Sequence, residues 1–246
     1  MPGTYQNLSV TRHGPVFVIT LQKPPENRIN REFSQELIRA FRDIEEQLRR
    51  TRGEVGGCVI TRGNDAKFWC TGLELDETDR NPYANTDGFY PVLLRTVLDF
   101  PYPTIALLTG HTFGGACPLA FAHDYRIMNK RRGFLSMPPV DLGLHFHGIG
   151  ALPRLKFGGN IARKMLLEAH RWTGEAALRD GIVDAVAEPD QMLDAALELA
   201  EKIAPKAKMG VYSQLREELW GEALEKFARI SYVHGRETSR PAKAKI

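Results

Sequence analysis

The run Thr104-Ile105-Ala106-Leu107-Leu108 is apolar after its first residue, and a glycine-punctuated segment follows at once: Thr109-Gly110-His111-Thr112-Phe113-Gly114-Gly115-Ala116-Cys117-Pro118-Leu119-Ala120. A short apolar run bounded by turn residues reads as a buried strand. The small residues after Gly115 read as the start of a helix, where Pro118 is tolerated because first-turn amides have no intrahelical acceptor. Such a junction leaves backbone N–H groups without partners, pointing at whatever lies in front of the turn. Phe68-Trp69-Cys70-Thr71-Gly72-Leu73-Glu74 is a second junction of this kind, after the apolar run Cys58-Val59-Ile60. Two glycine turns, each after an apolar run, can supply two main-chain donors to one developing negative charge.

The rest of the pattern agrees with repeated strand–helix units. Leu8 to Arg12 and Val16 to Leu21 flank His13-Gly14-Pro15 and predict a hairpin. Phe33, Leu37, Ile38, Phe41, Ile44 and Leu48 recur at helical spacing, with Asn30 as N-cap. A shorter helix is expected around Tyr90 to Phe100, ended by Pro101 and Pro103, then a strand over Asp124 to Met128. From Gly158 onward the pattern turns helical. Thr173 is a cap, Gly181 to Val186 an extended return, and the helix after Asp190 carries Met192, Leu193, Ala196, Leu197, Ala200 and Ile203 on one face. A last helix, from about Val211 to Ile230, has more apolar residues (Leu215, Leu219, Trp220, Leu224, Phe227) than a solvated tail would. The expected division is a core over 1–200 and a C-terminal helical, subunit-contacting segment and tail over 201–246.

Charge excludes one class of partner. Lys and Arg exceed Asp and Glu by only three over 246 residues, in short pairs rather than a stripe, so generic nucleic-acid binding is unsupported. Cys58, Cys70 and Cys117 cannot all pair and sit among apolar or glycine residues, which points to a reducing compartment and to thiols acting as small hydrophobes. No apolar run reaches membrane-spanning length, and the N-terminal residues lack a signal-peptide pattern. The C-terminal Ala244-Lys245-Ile246 has the small–basic–aliphatic form of a relaxed peroxisomal address, so the expected location is peroxisomal, otherwise cytoplasmic.

Taken together, the two turns resemble the N-G-x-x-x-G-G-G-C and F-x-x-G-x-D/E segments of the crotonase (enoyl-CoA hydratase/isomerase) superfamily. Pro24-Pro25-Glu26-Asn27-Arg28-Ile29-Asn30 resembles its P-x-x-N-x-x-N element. The resemblance runs from about Leu8 to Ala204 in a matching order. It implies an α/β crotonase-type spiral of repeated ββα units with a C-terminal helical region, homotrimers or hexamers, and an acyl-CoA thioester as substrate, with CoA part of that substrate and no separate cofactor. It places the oxyanion donors at Leu73 N and Gly115 N. CoA contacts fall on the Lys23 to Arg28 segment and the Lys67 to Gly72 turn, giving Lys23, Arg28, Lys67, Thr71 and Gly72 as binding candidates.

The departure from the family lies in the proton-moving groups. The two hydratase glutamates align with Pro118 and, in Pro138-Pro139-Val140-Asp141-Leu142-Gly143-Leu144, with Pro139. Proline has no ionisable group, so water addition through paired carboxylates is disfavoured. Shifting a double bond needs one group to take a proton from C2 and return it at C4. Some isomerases of the family carry their acid in L-G-x-x-x-E-G; here that segment is Leu142-Gly143-Leu144-His145-Phe146-His147-Gly148, with His147 in the glutamate's place. An imidazole titrates near neutrality and can serve. Glu74 and then Asp141 are the alternatives. His145 and His147 supply only two ligands to a metal, so none is expected. The expected activity is Δ3,Δ2-enoyl-CoA isomerisation; the alternatives are a hydratase with relocated acid and base, or an acyl-CoA-binding homologue without turnover.

Overall fold

The computed structural model describes residues 4–51, 54–76, 90–145 and 148–228. Its first hairpin pairs β1 (Leu8–His13) with β2 (Val16–Leu21), antiparallel, and Gly14 takes the positive φ (59°) that the tight turn requires. After the amphipathic helix α1 (Arg31–Arg49) the chain coils. Strand β3 (Cys58–Gly63) is followed by β4 (Phe68–Cys70), and α2 (Tyr90–Leu98) leads to β5 (Thr104–Leu108). Next come β6 (His111–Phe113), α3 (Ala116–Ala122), β7 (Tyr125–Asn129) and β8 (Leu135–Ser136). The short helix α4 (Pro139–Leu142), α5 (Ala151–Leu167), α6 (Gly174–Arg179), β9 (Ala185–Ala187), α7 (Met192–Ile203) and α8 (Val211–Ala228) complete it.

Three successive coils, β3–β4, β5–β6 and β7–β8, each contribute one strand to each of two sheets. The larger sheet runs β1-β2-β3-β5-β7-β9, parallel from β2 onward, and the smaller runs β4-β6-β8, parallel throughout. That alternation is the ββα spiral. Parallel strands need both faces covered, and they are. Phe33, Leu37, Phe41 and Ile44 of α1 join Phe17, Ile19, Val59 and Ala106 on one side, while Met192, Ala196, Ala200 and Ile203 of α7 join Val18, Ile60, Ile105 and Leu107 on the other.

Helix α5 begins seven residues before the expected start at Gly158. Pro153 falls within its first turn, where the missing N–H is harmless, and Gly158 is absorbed as a kink (φ 73°, ψ 171°) rather than a boundary. Strands β6 and β8 were not expected; three- and two-residue strands have too few positions to show alternation.

Helix α8 is tied to the core by a buried cation. Arg216 Nε lies 2.7 Å from Asp124 Oδ1, close enough for an ion pair although off the line a hydrogen bond needs. Its guanidinium also donates to Phe100 O and, at 3.1 Å, to Val97 O. Asp124 Oδ2 in turn accepts from Thr104 N at 2.9 Å and Thr104 Oγ1 at 3.1 Å. Removing one partner strands the other charge in the interior, so Arg216→Ala is expected to lower unfolding free energy by about 3–5 kcal/mol in chemical denaturation; a loss under about 1 kcal/mol would contradict this anchoring.

His123, fully buried after α3, is held neutral, its pKa pushed down to about 3 by burial. Leu119 O, 2.9 Å from Nδ1, can only accept, so Nδ1 carries the proton and Nε2 accepts from Thr61 Oγ1 at 2.9 Å. The unfolded chain binds the extra proton more readily, so this contribution is complete above pH ~6.5 and declines as pH falls toward the folded pKa. At pH ~5 the loss is about 2 kcal/mol. Wild type should therefore lose more stability than His123→Gln between pH ~7.5 and ~5; parallel losses would contradict the assignment.

Candidate active site

The two glycine turns predicted from sequence touch in the structure. A Cβ placed on Gly72 would lie 2.8 Å from Phe113 O and 3.0 Å from Gly115 N, and one placed on Gly115 would lie 2.8 Å from Leu73 Cγ. Gly72 admits only glycine, since its clashes are with backbone and it sits at φ 96°; at Gly115, in ordinary αR geometry, an added methyl would press on the Leu73 side chain. The parallel pairing of β4 with β6 brings the turns together, Phe68 opposite His111 and Cys70 opposite Thr112.

Backbone amides on either side of the contact are engaged. Gly114 N donates to Ser136 O at 3.0 Å, Glu74 N to Ile29 O at 2.9 Å, and Cys117 N to Gly114 O at 3.0 Å. Among the described residues, Leu73 N and Gly115 N have no acceptor. Both amides lie beside the contact, since Gly115 N is 3.0 Å from a Cβ placed on Gly72 and Leu73 is the next residue.

The loop before α1 braces the first turn. Asn27, buried at φ 54°, donates from Nδ2 to Trp69 O at 3.0 Å, accepts from Lys23 N at 2.9 Å, and receives the Cys70 thiol on its own carbonyl at 2.9 Å. Asparagine tolerates this left-handed conformation better than most residues. Asn30 caps α1, accepting from Phe33 N at 2.9 Å, and donates to Glu74 Oε2 at 3.2 Å. Ile29 N donates to Gly72 O at 2.7 Å. The two asparagines of the P-x-x-N-x-x-N element are thus structural ties to the Gly72 turn.

The binding and proton-transfer candidates fall into distinct settings. Lys23 pairs with Glu74, so that carboxylate is neutralised as well as bonded to Asn30. Thr71 Oγ1 donates to Glu26 Oε2 at 2.8 Å and Arg28 pairs with the same oxygen at 3.1 Å, which together hold the Glu26 carboxyl below its usual range against the opposing effect of its partial burial. Lys67 is exposed over the Phe68 ring, 4.8 Å from its centroid. Asp141 is exposed on α4. Pro118 is buried in α3, and Pro139 opens α4. His147 lies outside the described residues, as does the C-terminal Ala244-Lys245-Ile246. His145 is exposed after the left-handed Gly143, not on a strand.

The three thiols are fully buried and free, and burial pushes Cys70 up to about 12 and Cys58 and Cys117 upward as well. They are neutral packing groups at ordinary pH, so Cys70 is no nucleophile. Among the described residues no three His, Cys, Asp or Glu side chains group as metal ligands, and no helix is long and apolar enough to cross a membrane.

Sequence reasoning missed Tyr90. Its ring is fully buried and its hydroxyl donates to Gly115 O, a link between α2 and the second turn that no spacing signal announces.

The close approach of the turns makes a prediction. Gly72→Ala forces a methyl against Phe113 O and the Gly115 amide, and should lower turnover at least ~100-fold by displacing the donors. Near-normal kinetics in a folded variant would contradict the arrangement.

Comparison with known proteins identifies the family. The enoyl-CoA hydratase/isomerase family model matches residues 11–234. The chain is 34% identical over 228 residues to the peroxisomal enoyl-CoA delta isomerase 2 of Arabidopsis thaliana, covering 87% of this chain and 92% of the relative. It is 31% identical over 212 residues to carnitinyl-CoA dehydratase of Citrobacter koseri, covering 84% and 77%. The human mitochondrial delta3-delta2-enoyl-CoA isomerase superposes with a TM-score of 0.81 at 21% identity, covering 91% of this chain and 86% of that one, a likeness of fold. With its two sheets, its coiled ββα order and its paired glycine turns, the chain belongs to the enoyl-CoA hydratase/isomerase family.

Proposed function

We propose that this protein is a Δ3,Δ2-enoyl-CoA isomerase. The carrying observation is the contact of the Gly72–Leu73 and Gly114–Gly115 turns, with two unengaged amides among the described residues, beside proline at both aligned hydratase glutamate positions. The thioester oxygen accepts from Leu73 N and Gly115 N. A single base removes a C2 proton, the electrons move into a dienolate whose oxygen the amides hold, and the same group returns the proton at C4. The C3–C4 double bond becomes C2–C3, conjugated with the thioester, and no water is consumed. Each amide donor contributes about 3–4 kcal/mol to the barrier reduction.

His147 is the proposed shuttle. Glu74, already paired with Lys23 and bonded to Asn30, and Asp141, exposed on α4, are the alternatives. Lys23, Arg28, Lys67, Thr71 and Gly72 line the proposed CoA path, where the Glu26 carboxylate would have to yield Arg28 to a phosphate. The peroxisomal Arabidopsis relatives and the C-terminal tripeptide support a peroxisomal location. The exposed Leu215 and Leu219 of α8, on a helix whose Ala223 and Phe227 pack inward, support a homotrimer or hexamer.

A second reading has a specific observation behind it: the dehydratase relative matches nearly as well as the isomerases. Incubation with a 3-enoyl-CoA should raise the near-ultraviolet absorbance of the conjugated 2-enoyl product. Formation of a 3-hydroxyacyl thioester from 2-enoyl-CoA would select the hydratase instead, and acyl-CoA binding without turnover a non-catalytic homologue. His147→Ala should lower isomerisation at least ~100-fold with the fold intact; unchanged turnover would eliminate it as the shuttle.

A further inference from the structure

We propose that Tyr90 is a positioning residue for the Gly115 donor, an inference that rests on the isomerase reading for its link to catalysis. Gly115 has no side chain to hold it, and glycine is the residue least able to keep one backbone conformation. Its αR geometry (φ −60°, ψ −16°) begins a seven-residue helix with no side-chain cap. One side of the turn is fixed by Gly114 N on Ser136 O and by Cys117 N on Gly114 O, both 3.0 Å. The other is fixed by the Tyr90 hydroxyl, which donates to Gly115 O from the first residue of α2. These two holds set the ψ and φ about Gly115, and so the direction in which its amide points.

The surroundings suit the task. Tyr90 is wholly buried, and burial raises its phenol well above the usual range, so the hydroxyl keeps its proton and donates. The Cys117 thiol donates beside it to Thr112 O at 3.3 Å and Ser136 O at 3.2 Å, and the Cys70 thiol supports the first turn through Asn27 O at 2.9 Å. Every one of these supports is uncharged. None competes with the negative charge that forms on the thioester oxygen, whereas a carboxylate at this depth would oppose it.

The test compares wild type with Tyr90→Phe, which keeps the ring and removes the donor. The kcat for a 3-enoyl-CoA should fall about tenfold or more with KM within about twofold, since misaimed donors act on the transition state. Two ligands give a readout without turnover: an enolisable 3-ketoacyl-CoA, which engages the donors, and a thioether analogue with methylene in place of the thioester carbonyl, which cannot. Affinity for the first should drop about tenfold and for the second stay constant. Equal loss for both ligands, or loss for neither, would overturn the positioning role. Should the Phe variant not fold, 3,5-difluorotyrosine at position 90, a stronger donor of nearly the same shape, must change kcat at least twofold at constant KM; no change overturns the proposal. Wild type that binds both ligands yet isomerises nothing overturns the isomerase reading alone. Wild type that binds neither overturns both.

Discussion

Two pieces of main chain from successive coils of the spiral meet at Gly72 and Gly115, so closely that a single added methyl on either would collide with the other turn. Parallel strands of the same small sheet impose that approach, because β4 and β6 emerge side by side and pointing the same way. Once the turns are in contact, much of the local sequence follows. Glycine is required at 72, where backbone crowds the Cα and φ is positive, and a small residue suits 115. Asn27 must hold a left-handed bend beneath the first turn, Asn30 must serve a helix and a carboxylate at once, and the thiols of Cys70 and Cys117 must fill space while donating to carbonyls. None of these groups carries a charge that would act against an anion on the open side of the turns.

The fold was legible where physics acts locally. Strands rich in β-branched residues, the α1 stripe and the Thr173 cap all lie where pattern placed them. Strands β6 and β8 were not legible, because their pairing comes from the coil of the spiral rather than from their own composition. The start of α5 was hidden by Pro153 and the Gly158-Gly159 pair, both of which read as breakers until packing is known. Buried charges were hidden for a related reason. Arg216 on α8 reads as a solvated cation, and only the approach of Asp124 and the carbonyls of α2 gives it a partner.

The site divides along the same line. The contact of the Gly72–Leu73 and Gly114–Gly115 turns was readable because a tight turn leaves glycine in the sequence. The supports were not: a tyrosine at the head of α2 looks like any core aromatic until its hydroxyl is seen on Gly115 O. The proposed CoA residues were named by resemblance, and their settings add what resemblance lacked, since Lys23 and Arg28 already have carboxylate partners among the described residues. Relatives named as isomerases and as dehydratases match at similar identity. What separates such chemistries is the identity of a few proton-bearing groups, not the donors for the oxygen.

The central claim is that both amides bear on a thioester oxygen, and the vibrational spectrum of that carbonyl reports it most directly. With a carbonyl-labelled saturated acyl-CoA bound to the full chain, the isotope-edited C=O stretch should move to lower frequency than in water, as two hydrogen bonds from fixed amides draw electrons toward oxygen. A bound thioester whose carbonyl band is unshifted, or moves to higher frequency, would contradict the account.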